Sequence, residues 1–410
     1  MHGATRYVNP AHPQSVNSGA GAATAPYKTI SYAMNQLVSG DRLVIAAGTY
    51  REALNPKYGA SNLVIEGSPG TMIKGSDIVT GWQSAGGGVF VRGNWTVNTQ
   101  QVFVNGAPYQ QIGGTLSSQF PSGVWPGRVA GSRSSMTPNS FYYDGGARNL
   151  YVKPADGSLS GKTVEVSMRE RLATGSELNN IQFSDLTFMH SNTSATRQGA
   201  AVAFYGNRLK LNRVTILQAD TYCLAVRGDY VEVTNSVANY CGIMGMAVTG
   251  RFNKLINNET NYNNTRGFSQ DWGAGGIKCI GPGGTSAGGL QDSVIRGHKA
   301  LYNNGDGIWL DTSPGGGNQI LESIAAYNRY GIHFEISSGV QIYNNLVFGN
   351  KSRGIYVAGS KDALVAHNLS VKNGIENISV SNSRNSTGSR QPQYLPYNNK
   401  VIGNITAWPL

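Results

Sequence analysis

The sequence predicts an all-β chain wound as a parallel β-solenoid. Three observations carry this. Gly-led strands recur at a period of about 22–25 residues. An Asn recurs eight residues after an aliphatic residue in each repeat. The composition holds 54 Gly and only 13% charged residues in 410, with abundant Asn, Ser, Thr, Val and Ile, which favours strands and turns over helices.

The Asn column reads Asn264, Asn303, Asn328, Asn350 and Asn373, with intervals of 39, 25, 22 and 23. The aliphatic column is Ile256, Ile295, Ile320, Ile342 and Val365. Such a period without helical patterning points to a solenoid. The long interval places an insertion in the Gly-rich stretch Gly281 to Leu290. Stacked Asn side chains at a turn hydrogen-bond along the axis, a structural role. The strands MAV, IKC, IWL, IHF and IYV superpose, with apolar first and third positions. Met246, Ile277, Ile308, Ile332 and Ile355 therefore form one inward column, and Val248, Cys279, Leu310, Phe334 and Val357 the next.

At the N-terminal end, residues 27–41 show one turn-spaced apolar stripe: Ile30, Ala33, Met34 and Leu37. A short helix there caps the open end of the solenoid. Residues 41–52 and 61–75 read as the first coils. Residues 81–170 break the rhythm with hairpin-like strands and form an inserted β-rich subdomain within a single domain spanning 1–410. Its aromatics (Trp82, Trp95, Trp125, Tyr142, Tyr143) wall a groove or simply pack together. The solenoid resumes at Leu178.

The outward face carries Lys278, Trp309, Asp311, His333, Glu335 and Tyr356, with Arg227 on an earlier coil. Asp311 and Glu335 fall in the same column of successive repeats, about 4.8 Å apart at the backbone. Like charges opposite each other destabilise a sheet, so the pair signals a use. Retaining glycosidases hold two carboxyl groups about 5–5.5 Å apart and inverting ones about 6.5–9.5 Å. The spacing favours retention. Mutual repulsion leaves one acid beside one anion. Glu335 is the acid candidate, crowded by His333 and Phe334. Trp309 precedes Asp311 by two and is placed to floor a sugar subsite. Lys278 lies one coil away, in reach of a hydroxyl or a substrate carboxylate. His333, Arg227 and Tyr356 are groove-lining candidates, as are Asp271 and Trp272, just upstream of the Lys278 strand.

The net charge of +11 and pI near 9.5 suit an acidic polysaccharide. Lys and Arg form no run, which argues against nucleic acid. No apolar run reaches about 18 residues, so no membrane span is expected. Cys223, Cys241 and Cys279 make no disulfide framework. Cys279 is a buried thiol, and a Cys223–Cys241 bridge is possible. No signal peptide is visible. The Met1-His2 opening reads as a mature, secreted domain without its leader. Oligomeric state is not legible.

These features, with the N-terminal pattern YVNPAHPQSVNSG…PYKTISYAMNQLVSGDRLVIAAGTYRE, resemble the pectate-lyase-like right-handed parallel β-helix superfamily. The IWLD…IHFEIS pair resembles the catalytic coils of the glycoside hydrolase family 120 β-xylosidases. The resemblance implies Asp311 as nucleophile and Glu335 as acid/base on a poly- or oligosaccharide, with no cofactor. That family carries a further acidic residue one coil earlier. Here the matching strand holds Lys278, and Asp271 is the nearby acid. Two alternatives stand. One is a polysaccharide lyase, with Lys278 as base and Ca²⁺ on carboxylates including Asp311 and Glu335. The other is a non-catalytic carbohydrate-binding solenoid.

Overall fold

The computed structural model describes residues 3–113, 131–192, 199–271, 273–280, 289–313, 315–382 and 395–407. Among them the one α-helix spans Ile30–Gln36, shorter than the apolar stripe suggests. Its N-terminus is doubly capped. Thr29 accepts from the Tyr32 amide, and the Glu52 carboxylate accepts from the amides of Ile30 and Ser31 at 2.9 and 2.8 Å. This satisfies donors that the first turn leaves without intrahelical partners. Ile30, Ala33 and Met34 are buried against the same core as Val8 and Leu43, so the helix covers apolar residues of the first coils. No helix among the described residues is long and apolar enough to cross a membrane.

From Arg42–Ile45 onward the strands stack in parallel, coil upon coil, and form a parallel β-helix. The inward columns match the sequence reading. Ile277, Ile308, Ile332 and Ile355 pair in register and are at most 1% exposed, as are Leu310, Phe334 and Val357 in the next column. Burying one such side chain contributes about 1.5–3 kcal/mol.

The turn ladder is also present, with one correction. Asn263, not Asn264, is its first member: the Asn263 amide donates to Asn303 Oδ1 at 2.9 Å. The chain of bonds continues through Asn328, Asn350 and Asn373 at 3.0, 2.9 and 3.0 Å. Correspondingly, Leu255 rather than Ile256 pairs with Ile295. The repeat there is 40 residues long. Cys223 and Cys241 form a disulfide, and Cys279 is free and buried.

Between Ser76–Ile78 and Ala173–Ser184 the coils give way to two small, largely antiparallel sheets. Trp95, Phe141, Val152 and Val166 form a separate apolar cluster there, with Trp82 packed against it. These tryptophans serve packing. Trp125 lies outside the described residues. Glu165, on this segment, meets Arg51 and Lys74 of the first coils at 2.9 and 3.0 Å.

Candidate active site

Four consecutive rungs build the site wall: Gly275–Cys279, Asp306–Asp311, Tyr330–Glu335 and Arg353–Ala358. Their register places Asp311 directly opposite Glu335. Lys278, Trp309, His333 and Tyr356 occupy the adjoining outward column. The two carboxylates thus leave neighbouring parallel strands on the same face, about 4.8 Å apart at the backbone.

This face points away from the core but is not an open, solvated surface. Asp311 is 7% exposed, Glu335 3% and His333 1%. A buried carboxylate needs compensation, and Asp311 has it: Lys278 Nζ lies 3.0 Å from its Oδ2. The contact is diagonal, one rung back and one column across. Lys278 therefore serves Asp311 first, a role that a substrate contact would have to share.

Trp309 departs from its expected role. Lys278 Nζ sits 3.3 Å from the centroid of the indole on one side, and His333 stacks on the other at 4.9 Å. Tyr356 stacks on the far face of His333, also at 4.9 Å. The cause is the rung spacing of about 4.8 Å, which brings rings of one column into mutual contact. Both faces of Trp309 are taken, so the ring offers a sugar its edge and not a floor.

The sequence reading missed Asp306. His333 Nδ1 donates to Asp306 Oδ2 at 2.7 Å, and both side chains are 1% exposed. Trp309 Nε1, Asp311 Oδ1, His333 Nε2 and Asp306 Oδ1 are buried with no hydrogen-bond partner among the described residues. Buried polar atoms without partners are costly and rare. Their concentration leaves this wall with hydrogen-bonding capacity that the described residues do not use.

The remaining candidates are dispersed. Arg227 shares the outward column of the carboxylates but stands three rungs from Asp311, about 14 Å by rung spacing. It is exposed over the Tyr205 ring. Tyr356 is 5% exposed, and its hydroxyl meets Ser381 Oγ at 3.1 Å. Asp271 is solvent-facing and pairs with Arg329 at 2.6 Å, beside Tyr330. It borders the site without replacing an acid on the Lys278 strand. Trp272 lies outside the described residues. No group of three or more His, Cys, Asp or Glu suited to a metal occurs among the described residues.

Comparisons with known proteins agree with the architecture. The family model described as a right-handed β-helix region matches residues 200–373. No curated protein matches the sequence significantly. Among solved structures, XylC in complex with xylose is similar at 15% identity over 91% of this chain and 69% of its own, with a TM-score of 0.68. A structure described as a glycoside hydrolase matches at 13% over 96% and 100%, TM-score 0.62. A GH136 lacto-N-biosidase from Eubacterium ramulus matches at 10% over 99% and 68%, TM-score 0.56. At these identities the likeness is one of fold.

Proposed function

We propose that, on this right-handed parallel β-helix, Asp311 and Glu335 are the nucleophile and the acid/base of a retaining glycoside hydrolase. The observation that carries the reading is their direct register pairing on one buried, outward face. Adjacent rungs supply a separation close to the about 5–5.5 Å that double displacement needs. Lys278 compensates the charge of Asp311, which suits Asp311 as the anion and leaves Glu335 as the proton donor.

In the first step an Asp311 oxygen attacks the anomeric carbon while the Glu335 proton passes to the glycosidic oxygen, and the aglycone leaves as an alcohol. In the second, Glu335 takes a proton from water. The water oxygen attacks the anomeric carbon and releases Asp311. The similar folds, one solved with xylose, one named a glycoside hydrolase and one a lacto-N-biosidase, support the substrate class, a poly- or oligosaccharide. The Cys223–Cys241 disulfide supports an oxidising, extracytoplasmic setting. An elimination mechanism is the weaker alternative, because an ammonium ion-paired with Asp311 is not a free base.

A 2-deoxy-2-fluoro glycoside with an activated leaving group tests the reading. It should leave one glycosyl unit on Asp311, located by peptide mass spectrometry. A product of inverted configuration, an unsaturated product, or label on another residue would reject it.

A further inference from the structure

The wall beside the carboxylates holds a donor and an acceptor that nothing else in the described structure uses. Trp309 Nε1 is an obligate donor. Asp306 Oδ2 takes the Nδ1 proton of His333, and the Nδ1–H tautomer presents a lone pair at Nε2, an atom with no partner among the described residues. Both ring faces of His333 are covered, by Trp309 and Tyr356, and Tyr330 meets it edge-on at 5.1 Å. Asp306 and Tyr330 lie in the column on one side. With Nδ1 turned to Asp306, ring geometry puts Nε2 at the opposite, distal edge, on the side of Asp311 and Glu335.

We propose that Trp309 Nε1–H and His333 Nε2 form a clamp for one sugar hydroxyl beside the Asp311–Glu335 pair, and that Asp306 sets its polarity. The clamp names the substrate feature recognised and rests on the glycosidase reading for its location. A hydroxyl oxygen both accepts and donates. With two bonds of about 2.9 Å it bridges rings whose centroids are 4.9 Å apart. Trp309 donates to it, and it donates to His333. Trp309 and His333 bind. Asp306 is a positioning residue, acting through the His333 tautomer.

The test uses the full chain with ¹⁵N-labelled His and Trp, and a panel of methyl pyranosides (xyloside, glucoside, galactoside and mannoside, both anomers). In the unliganded protein His333 should show the Nδ1–H tautomer. At least one pyranoside should move both the Trp309 Nε1–H and His333 Nε2 signals. Trp309→Phe keeps the ring and removes the donor, and should weaken that pyranoside about tenfold. Asp306→Asn should shift the proton toward Nε2 and weaken it similarly, because two donors then meet one hydroxyl.

An Nε2–H tautomer in the unmodified chain, a panel that never moves both signals, or unchanged affinity in Trp309→Phe overturns the clamp. The spectra of the unmodified chain and of Trp309→Phe decide the matter even where Asp306→Asn fails to fold. Failure of the glycosidase reading looks different: Asp311→Asn would keep turnover while both signals still respond.

Discussion

Asp311→Asn separates the chemistry of the site from its stability. The Lys278 and Asp311 side chains are only 6% and 9% exposed, and their charged atoms lie 3.0 Å apart. Breaking a buried ion pair typically costs about 3–5 kcal/mol, mostly from the charge left behind. Asn retains an acceptor for Lys278, and the indole face 3.3 Å from Nζ returns part of the loss, worth up to about 2 kcal/mol when desolvated. The loss in Asp311→Asn should therefore be near the lower bound, about 2–3 kcal/mol. Lys278→Met should cost at least as much, since it leaves the carboxylate buried without its cation. The double variant should recover most of the loss, because neither charge remains to be compensated.

Turnover should not follow stability. Loss of a nucleophile that acts within a catalytic unit costs about a thousandfold or more. The double variant should thus be stable and inactive. Denaturant midpoints of the four proteins give the coupling energy, and aryl glycoside hydrolysis at a fixed pH gives the rates. An Asp311→Asn variant with a tenth or more of the original rate would refute the nucleophile. Additive stability losses would refute the ion pair as a coupled unit.

Three further outcomes follow from the frame. Asn328 accepts from the Asn303 amide at 3.0 Å and donates to Ala300 O at 2.8 Å, so Asn328→Ala leaves buried backbone groups unpaired and should cost about 2–3 kcal/mol in a denaturant titration. Reducing Cys223–Cys241, whose partners are 18 residues apart, should cost about 3 kcal/mol and lower the melting temperature. Burial depresses His190 to about 4, and burial depresses His298 to about 3, both from 6.5. Below about pH 6.5 the unfolded chain takes up these protons and the folded chain does not. Stability should therefore fall as pH drops from 6.5 toward 4, by about 3 kcal/mol from His190 alone, and a denaturant midpoint flat across that window would contradict it.

The inward columns and the carboxylate pair were legible because both follow from two periodicities, alternation along a strand and repetition between rungs. The error at Asn264 shows where that logic thins. Leu255 and Ile256 are both aliphatic, Asn263 and Asn264 are both Asn, and a spacing of eight fits either choice. The ladder bond from Asn263 to Asn303 and the pairing of Leu255 with Ile295 settle the register. The Lys278–Asp311 contact is diagonal, and columns read singly do not show it. Asp306 was missed because strict alternation puts it in phase with inward Ile308 and Leu310. At the start of its strand that phase does not hold, and its carboxylate reaches His333 in the outward column. Burial of the wall was not legible, since a strand pattern separates inward from outward and not outward from exposed.

The rung spacing accounts for both what the wall offers and what it withholds. A parallel ladder repeats at about 4.8 Å, close to the carboxyl separation of double displacement, so two acids in one column need little further adjustment. The same spacing stacks any flat rings of a column and hides their faces, as in Trp309, His333 and Tyr356. On such a wall, recognition must come from ring edges and their nitrogens. Sugar stacking, where it occurs, must come from aromatics on loops or on the segment between the coils, where the ladder imposes no period.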